Sequence, residues 1–293
     1  MRLSELFSQK MPTLSFEVFP PKTNDNYESV KYATEEIAKI KPDFMSVTYG
    51  AGGGTSKYTL EIAKNLKNNS NVTPLAHLTC VSSTREMIKN QLNLLKDAGI
   101  ENILALRGDI PEDLDITRLD YHYANELVEE IKTFGGFCIG GACYPEGHTE
   151  SHNQKEDIDN LKRKVEAGCE FLTTQMFFDN NILYNFLYKI REAGIRVPVV
   201  AGIMPVTNSK QIERICRLSG TYLPQRFKSI VDRFGDNPDA MKQAGIAYAT
   251  DQIIDLLANG VNNVHVYSMN KPEVAEKIKQ NLSKILWFFI FSI

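Results

Sequence analysis

Eight short apolar runs, each followed by a longer amphipathic stretch, predict an α/β chain whose strands close into a (β/α)8 barrel. Three observations carry that prediction. The strand–helix units number eight. Gly99, Gly168, Gly194 and Gly260 recur in one place, after a helix and just before a strand. Polar residues two apart, such as Ser15 and Glu17 or His265 and Tyr267, share a strand face and lean toward strand C-termini, where such barrels build their sites. A doubly wound open sheet has the same local units but would gather its site at one switch point.

The strands are predicted at 14–19, 44–49, 74–80, 102–106, 137–144, 171–177, 198–203 and 263–267. In the first, Leu14, Phe16 and Val18 share one face and Ser15 and Glu17 the other. An acid inside a strand must be paired, hydrated in a cavity or chemically used, unless the strand is an exposed edge. The second strand brings Ser46 and Thr48. After it, the glycine-rich segment 50–55 is either a flexible loop or a place of close backbone approach to a ligand, and it lacks the Gly-Lys-Ser/Thr ending of a P-loop. The third strand brings His77 and Thr79. A helix over 84–98 follows, with Met87, Ile88, Leu92, Leu94 and Leu95 on one broad face and Gly99 as its stop.

The fourth strand closes on Leu106-Arg107-Gly108-Asp109. Arg107 and Asp109 beside a glycine suit a polar or anionic ligand, or else form an Arg–Asp turn pair. The fifth ends on Tyr144-Pro145-Glu146-Gly147-His148, and Asp157, Asn160, Arg163 and Lys164 sit on the next helix as a cationic patch or a solvated face. At the sixth, Gln175 lies among Phe177 and Phe178, a setting for a planar heterocycle or for a core glutamine bonded to backbone. Before the eighth strand two helices are predicted, near 224–234 and 241–258, as an insertion. The 293 residues carry no linker or low-complexity tract, so 1–293 reads as one domain with an apolar tail near 285–293.

Net charge is −3 and no basic block occurs, which argues against a nucleic-acid partner. The five cysteines form no C-x-x-C pair, as expected of reduced thiols and a cytoplasmic location. The first residues lack a signal-peptide pattern, and the apolar tail is too short to span a bilayer. It reads as a segment packed on its own domain or on a neighbouring subunit. No G-x-G-x-x-G or G-x-S-x-G occurs, and His148 and His152 lack the glutamate of a zincin helix, so no metal is expected.

Taken together, these segments resemble the methylenetetrahydrofolate reductases, in particular the bacterial-type catalytic chain. The matching stretches are Ser15-Phe16-Glu17-Val18-Phe19-Pro20-Pro21-Lys22, Ser46-Val47-Thr48-Tyr49-Gly50-Ala51, His77-Leu78-Thr79-Cys80 and Leu106-Arg107-Gly108-Asp109. They continue with Tyr144-Pro145-Glu146-Gly147-His148, Leu161-Lys162-Arg163-Lys164, Thr174-Gln175-Met176-Phe177-Phe178-Asp179 and Gly202-Ile203-Met204-Pro205-Val206. Their order and spacing, over nearly the whole chain, carry the resemblance. It stops near Ile285, and no regulatory domain is expected to follow.

The resemblance implies non-covalent FAD, NADH or NADPH as donor, and reduction of 5,10-methylenetetrahydrofolate to 5-methyltetrahydrofolate by ping-pong chemistry, the methyl group feeding methionine synthesis. It also implies a homo-oligomer. By position, Thr48, Tyr49, Ala51, His77, Arg107, Gly108, Asp109, Tyr123, Ala124, Tyr144, His148, Ser151, Asp157, Asn160, Arg163 and Lys164 would contact FAD. Glu17 would be the general acid, Asp109 and Gln175 would hold the pterin, and Gln211 and Lys271 would contact the folate, with Gln175 also near the nicotinamide. A carboxyl held away from water would have a raised pKa and keep its proton near neutrality, and Asp109 would favour positive charge developing on the folate.

Two departures bear on substrate affinity. Ile215 stands where the resembled bacterial enzymes carry a phenylalanine, and Lys271 where they carry an arginine, keeping the charge and losing the fork. A different flavin barrel of the proline dehydrogenase kind would not predict folate-binding Gln175 and Gln211. A binding subunit of a larger electron-transfer complex is a reading that the apolar tail keeps open.

Overall fold

The computed structural model describes residues 1–9, 11–21, 26–49, 56–110 and 119–291, with the backbone alone at positions 56, 211, 213, 290 and 291. Eight parallel strands pair in sequence order and close on themselves. They are β1 (Thr13–Val18), β2 (Met45–Val47), β3 (Pro74–Thr79), β4 (Asn102–Leu106), β5 (Cys138–Cys143), β6 (Phe171–Thr174), β7 (Val199–Ile203) and β8 (Asn263–Tyr267). The barrel expected from the sequence is therefore the fold.

Among the described residues eleven helices accompany the strands: α1 (Leu3–Ser8), α2 (Tyr27–Lys39), α3 (Ser56–Asn68), α4 (Arg85–Asp97), α5 (Ala124–Phe134), α6 (Gln154–Ala167), α7 (Asn180–Glu192), α8 (Ser209–Ser219), α9 (Gln225–Phe234), α10 (Pro238–Ala258) and α11 (Pro272–Phe291). The two inserted helices fall where expected, as α9 and α10. In α4 the Thr84 hydroxyl caps the first turn at the Met87 N–H, and Gly99 ends the unit at φ 66°. The buried stripe of α4 is narrower than predicted. Ile88, Leu92 and Leu95 are buried, whereas Met87 and Leu94 are 48% and 44% exposed.

Two strands end two or more residues sooner than their apolar runs. β2 stops at Val47, and β6 stops at Thr174, which leaves Gln175 in the loop beyond. β4 ends at Leu106, so Arg107 and Asp109 leave the barrel on a loop and share no strand face with the other polar pairs. Gly108 holds that loop at φ 87°.

The pleat sorts the residues into two layers. Leu14, Phe16 and Val18 face outward into the main core with Met45, Val47, Ala76 and Leu78. Inside, the lower end is filled by Phe44, Leu75, Leu104, Cys138, Phe171 and Val200. Gly140 makes room there, since a β-carbon at that position would run into the Phe171 ring. The sequence reading did not foresee α1, which lays Leu3, Leu6 and Phe7 across this lower end. Leu3 N–H donates to Asn102 at 2.8 Å and the Ser4 hydroxyl to Glu170 at 2.8 Å, anchoring α1 to the starts of β4 and β6.

The apolar tail is the end of α11. Ile285, Leu286 and Phe289 pack on the main core, while Trp287 and Phe288 are 57% and 61% exposed. Among the described residues, no helix is long and apolar enough to cross a membrane.

Candidate active site

Register places the acid. Pairing of β1 with β2 sets Glu17 beside Ser46, and pairing with β8 sets Ser15 beside His265 and Glu17 beside Tyr267. All of these point into the upper half of the barrel. The edge-strand alternative for Glu17 therefore falls: the residue is 6% exposed. The Ser46 hydroxyl donates to Glu17 Oε2 at 3.1 Å, and Ser46 Oγ lies 2.9 Å from His265 Nε2. On its other side His265 Nδ1 meets the Ser15 hydroxyl at 2.7 Å. His265 Nε2 and His77 Nε2 stand 3.7 Å and 3.5 Å from Glu17 Oε2.

Electrostatics corrects the expectation for Glu17. Burial pushes its carboxyl upward, but the His265 contact, the charges of His77 and His265 and the Ser46 hydroxyl outweigh it, and the pKa is lowered. In the ligand-free protein Glu17 is a carboxylate at neutral pH. Burial pushes His77 down to about 4 against the pull of Glu17, so His77 is neutral there. The sequence revealed the burial of position 17 and hid the two imidazoles, which arrive from β3 and β8.

Glu17 and His77 lie in the wall of one cavity of about 1040 Å³ at the strand C-termini. Its rim brings together Thr48, Tyr49, Arg107, Gly108 and Asp109 from the loops after β2 and β4, and Tyr123 and Ala124 from the start of α5. Tyr144, His148 and Ser151 line it from the loop after β5, and Asp157, Asn160, Arg163 and Lys164 from α6. Gln175 joins from the loop after β6. Lys271 is not among the lining residues; its ammonium is committed to the Thr207 hydroxyl at 2.5 Å. Ala51 lies outside the described residues, as does the whole glycine-rich segment 50–55, and Gln211 is described only as backbone on α8.

Arg107 does not form the Arg–Asp turn pair. Its two terminal nitrogens donate to both Glu150 oxygens at 2.5 and 2.6 Å, and its Nε to the Gly108 carbonyl at 3.2 Å. Glu150 raises the Arg107 pKa further, and Arg107 holds the Glu150 carboxyl below its usual range. The Ser151 hydroxyl donates to Asp157 at 3.3 Å, and the Lys164 ammonium to the Ala142 carbonyl at 2.7 Å, pinning α6 to the top of β5. The Tyr144 ring meets His148 edge-on at 4.6 Å, and burial pushes the Tyr144 phenol up to about 12. Gln175 Oε1 accepts from the Met176 N–H at 2.9 Å, the backbone bond that the plainer reading of this residue foresaw.

Sequence reasoning missed the lining residues Glu150, Met204, Leu218 and Met269. Ser46 and His265 carried a signal, their two-residue spacing to Thr48 and Tyr267. Glu150 carried none, because its partner Arg107 is 43 residues away. Among the described residues, two buried polar atoms that line this space have no hydrogen-bond partner, His77 Nε2 and Thr173 Oγ1. Such atoms call for a polar ligand. With tyrosines, an imidazole and three cations on the wall, the donor set fits a bound dinucleotide with an aromatic ring and a pyrophosphate.

The methylenetetrahydrofolate reductase family model matches residues 2–283. The 5,10-methylenetetrahydrofolate reductases of Escherichia coli and Pectobacterium carotovorum are each 34% identical over 269 residues, covering 92% of this chain and 90% and 89% of theirs. Methylenetetrahydrofolate reductase (NADH) 1 of Arabidopsis thaliana is 34% identical over 298 residues, and the chain spans 50% of that relative's length. Among solved structures, a Clostridium thermocellum protein described as binding two copies of 5-methyl-5,6,7,8-tetrahydrofolic acid aligns over 98% of this chain and 99% of its own, with a TM-score of 0.67 at 13% identity. Oxaloacetate acetylhydrolase aligns over 100% of this chain and 87% of its own, with a TM-score of 0.54 at 9% identity. These two structures share the fold. By the family match and the bacterial relatives, the chain belongs to the methylenetetrahydrofolate reductase family.

Proposed function

We propose that the chain reduces 5,10-methylenetetrahydrofolate to 5-methyltetrahydrofolate at the expense of a reduced nicotinamide, with non-covalent FAD in the barrel mouth. The observation that carries this reading is the buried Glu17–Ser46–His265 cluster opening into a cavity walled by tyrosines and cations. FAD, when bound, supplies hydride transfer, accepting from the nicotinamide and delivering to the folate in turn. Arg163, with Arg107 and Lys164 once they share their bonds to Glu150 and the Ala142 carbonyl, would face its phosphates, and Tyr49, Tyr144 and His148 would be the rings beside it.

The proton step falls to Glu17. Opening the folate's five-membered ring to an iminium requires a proton at the departing nitrogen, and the iminium carbon then takes the hydride. Glu17 starts as a carboxylate, so it must first take up a proton. Ser46, hydrogen-bonded to Glu17 on one side and in contact with His265 on the other, and His265, 3.7 Å from the carboxylate, are the residues placed to pass one. A folate that covers the mouth removes water and makes proton uptake by Glu17 more favourable. Asp109, at the cavity rim, favours the iminium's positive charge. Overall, one hydride and one proton add to the folate and the nicotinamide is oxidised.

The test is anaerobic mixing of the FAD-loaded protein with NADH, with NADPH, and then with 5,10-methylenetetrahydrofolate. Bleaching of the flavin by a nicotinamide and its recovery on adding folate are expected. A protein that takes up no FAD, or a reduced flavin that the folate leaves unchanged, defeats the reading. Bleaching by neither nicotinamide would favour a subunit reduced by a partner protein.

A further inference from the structure

We infer that Asn270 is a positioning residue for Glu17, acting by clamping the end of β1 from the turn after β8; this rests on the folate-reductase reading of the site. Past Tyr267 the chain turns sharply. Met269 and Asn270 both adopt φ 54°, two consecutive non-glycine residues in the left-handed region. Side chains with a β-carbon avoid that region, asparagine least among them. Elsewhere among the described residues it is occupied only singly by non-glycine residues, at Lys41 and Asn71.

The turn serves contacts to β1. The Asn270 carboxamide takes both backbone groups of Phe19, accepting from its N–H at 2.8 Å and donating to its carbonyl at 3.0 Å. The Ser268 hydroxyl donates to the Glu17 carbonyl at 2.7 Å. Strand pairing between β1 and β8 ends at Glu17 and Tyr267, and Pro20 and Pro21 follow Phe19 with no N–H to offer. Without the clamp the last residues of β1 would have nothing on the β8 side to hold them. With it, the backbone bearing Glu17 is fixed from one residue to two beyond the ladder. The carboxyl is then held against Ser46 from β2, His77 from β3, and His265 and Tyr267 from β8. Met269, between the two clamping residues, lines the ligand cavity, so one turn sets the proton donor and part of the wall together. Strain of this kind persists where surrounding contacts over-determine it, and such positions gather at functional sites.

The test uses the FAD-loaded full chain and the variants Asn270→Gly, Asn270→Asp and Ser268→Ala. Asn270→Gly relieves the left-handed backbone and loses both bonds. It should fold, hold FAD and be reduced by the nicotinamide within about twofold of wild type, while folate-driven reoxidation falls about tenfold or more and its pH profile shifts. Asn270→Asp keeps the acceptor for Phe19 N–H but opposes a carboxylate to its carbonyl, and should fall between. Ser268→Ala should lose about threefold in reoxidation. Equal loss in both half-reactions, or loss of FAD, would mark Asn270 as a fold residue only, and wild-type rates in both would remove the clamp from catalysis. The Glu17 carboxyl is also followed by carbon NMR in the glutamate-labelled chain, whose titration should move by about half a unit or more in Asn270→Gly. An unmoved midpoint overturns the clamp even if the wild-type chain does not turn over folate, which would by itself refute the folate-reductase reading.

Discussion

His77 Nε2 stands 3.5 Å from Glu17 Oε2, and among the described residues that nitrogen has no hydrogen-bond partner. A buried imidazole with burial-depressed basicity faces a buried carboxylate held below its usual range. The pair offers a polar atom to a ligand and makes the fold depend on acidity.

The acid role proposed for Glu17 separates the two halves of the reaction. Glu17→Gln should leave nicotinamide-driven flavin reduction nearly intact and slow folate-driven reoxidation by about 10²-fold, the usual scale for a lost general acid. Anaerobic stopped-flow reads both halves on one sample. Equal loss in the two would assign Glu17 to structure.

In the wild-type chain, folate-driven reoxidation should speed up as pH falls from about 8 to about 6, because Glu17 begins ionised and must gain a proton. Nicotinamide-driven reduction should lack that rise. A flat profile in the folate half would mean that the proton comes from elsewhere.

Acid should destabilise the fold. His77 titrates at about 4 in the folded chain, down from 6.5, so between those values the unfolded chain binds more protons and stability rises with pH. The Glu17 contribution has the same sign: it is present above the ordinary carboxylate value and lost as pH falls through the lowered one. On the order of 2 kcal/mol should be missing near pH 5 relative to pH 8 from His77 alone. Urea unfolding of wild type and His77→Gln at the two pH values checks this, since the variant should show the smaller drop.

Arg107→Lys should weaken FAD binding about tenfold, because lysine cannot reproduce the fork that Glu150 holds in place. Fluorescence titration of FAD into the flavin-free protein measures it. An unchanged dissociation constant would take Arg107 out of the cofactor site.

Gly140→Ala should cost about 1–3 kcal/mol, the range for overpacking a filled core, since its β-carbon meets the Phe171 ring. Denaturant unfolding gives the value, and a change within error would mean that Phe171 and its neighbours repack freely.

The sequence made the barrel legible because its signals are local and repeat. Apolar runs mark strands, a glycine such as Gly99 marks each return, and two-residue spacing aims Ser15 and Glu17 inward. The cavity-lining set from Thr48 to Gln175 followed from the family resemblance, and the structure gathers nearly all of it on one wall. What stayed hidden depended on distant partners or short segments. The lowered pKa of Glu17 comes from histidines on two other strands. Arg107 chooses Glu150 over nearby Asp109. In α1 the apolar residues Leu3, Leu6 and Phe7 span fewer than two turns, too few for a period to emerge. Met269 and Asn270 gave no sign of the left-handed turn, although asparagine is the residue that tolerates it best.

That short first helix makes the barrel a vessel stoppered at its base. Whatever reaches Glu17 through the cavity comes by way of the strand C-termini.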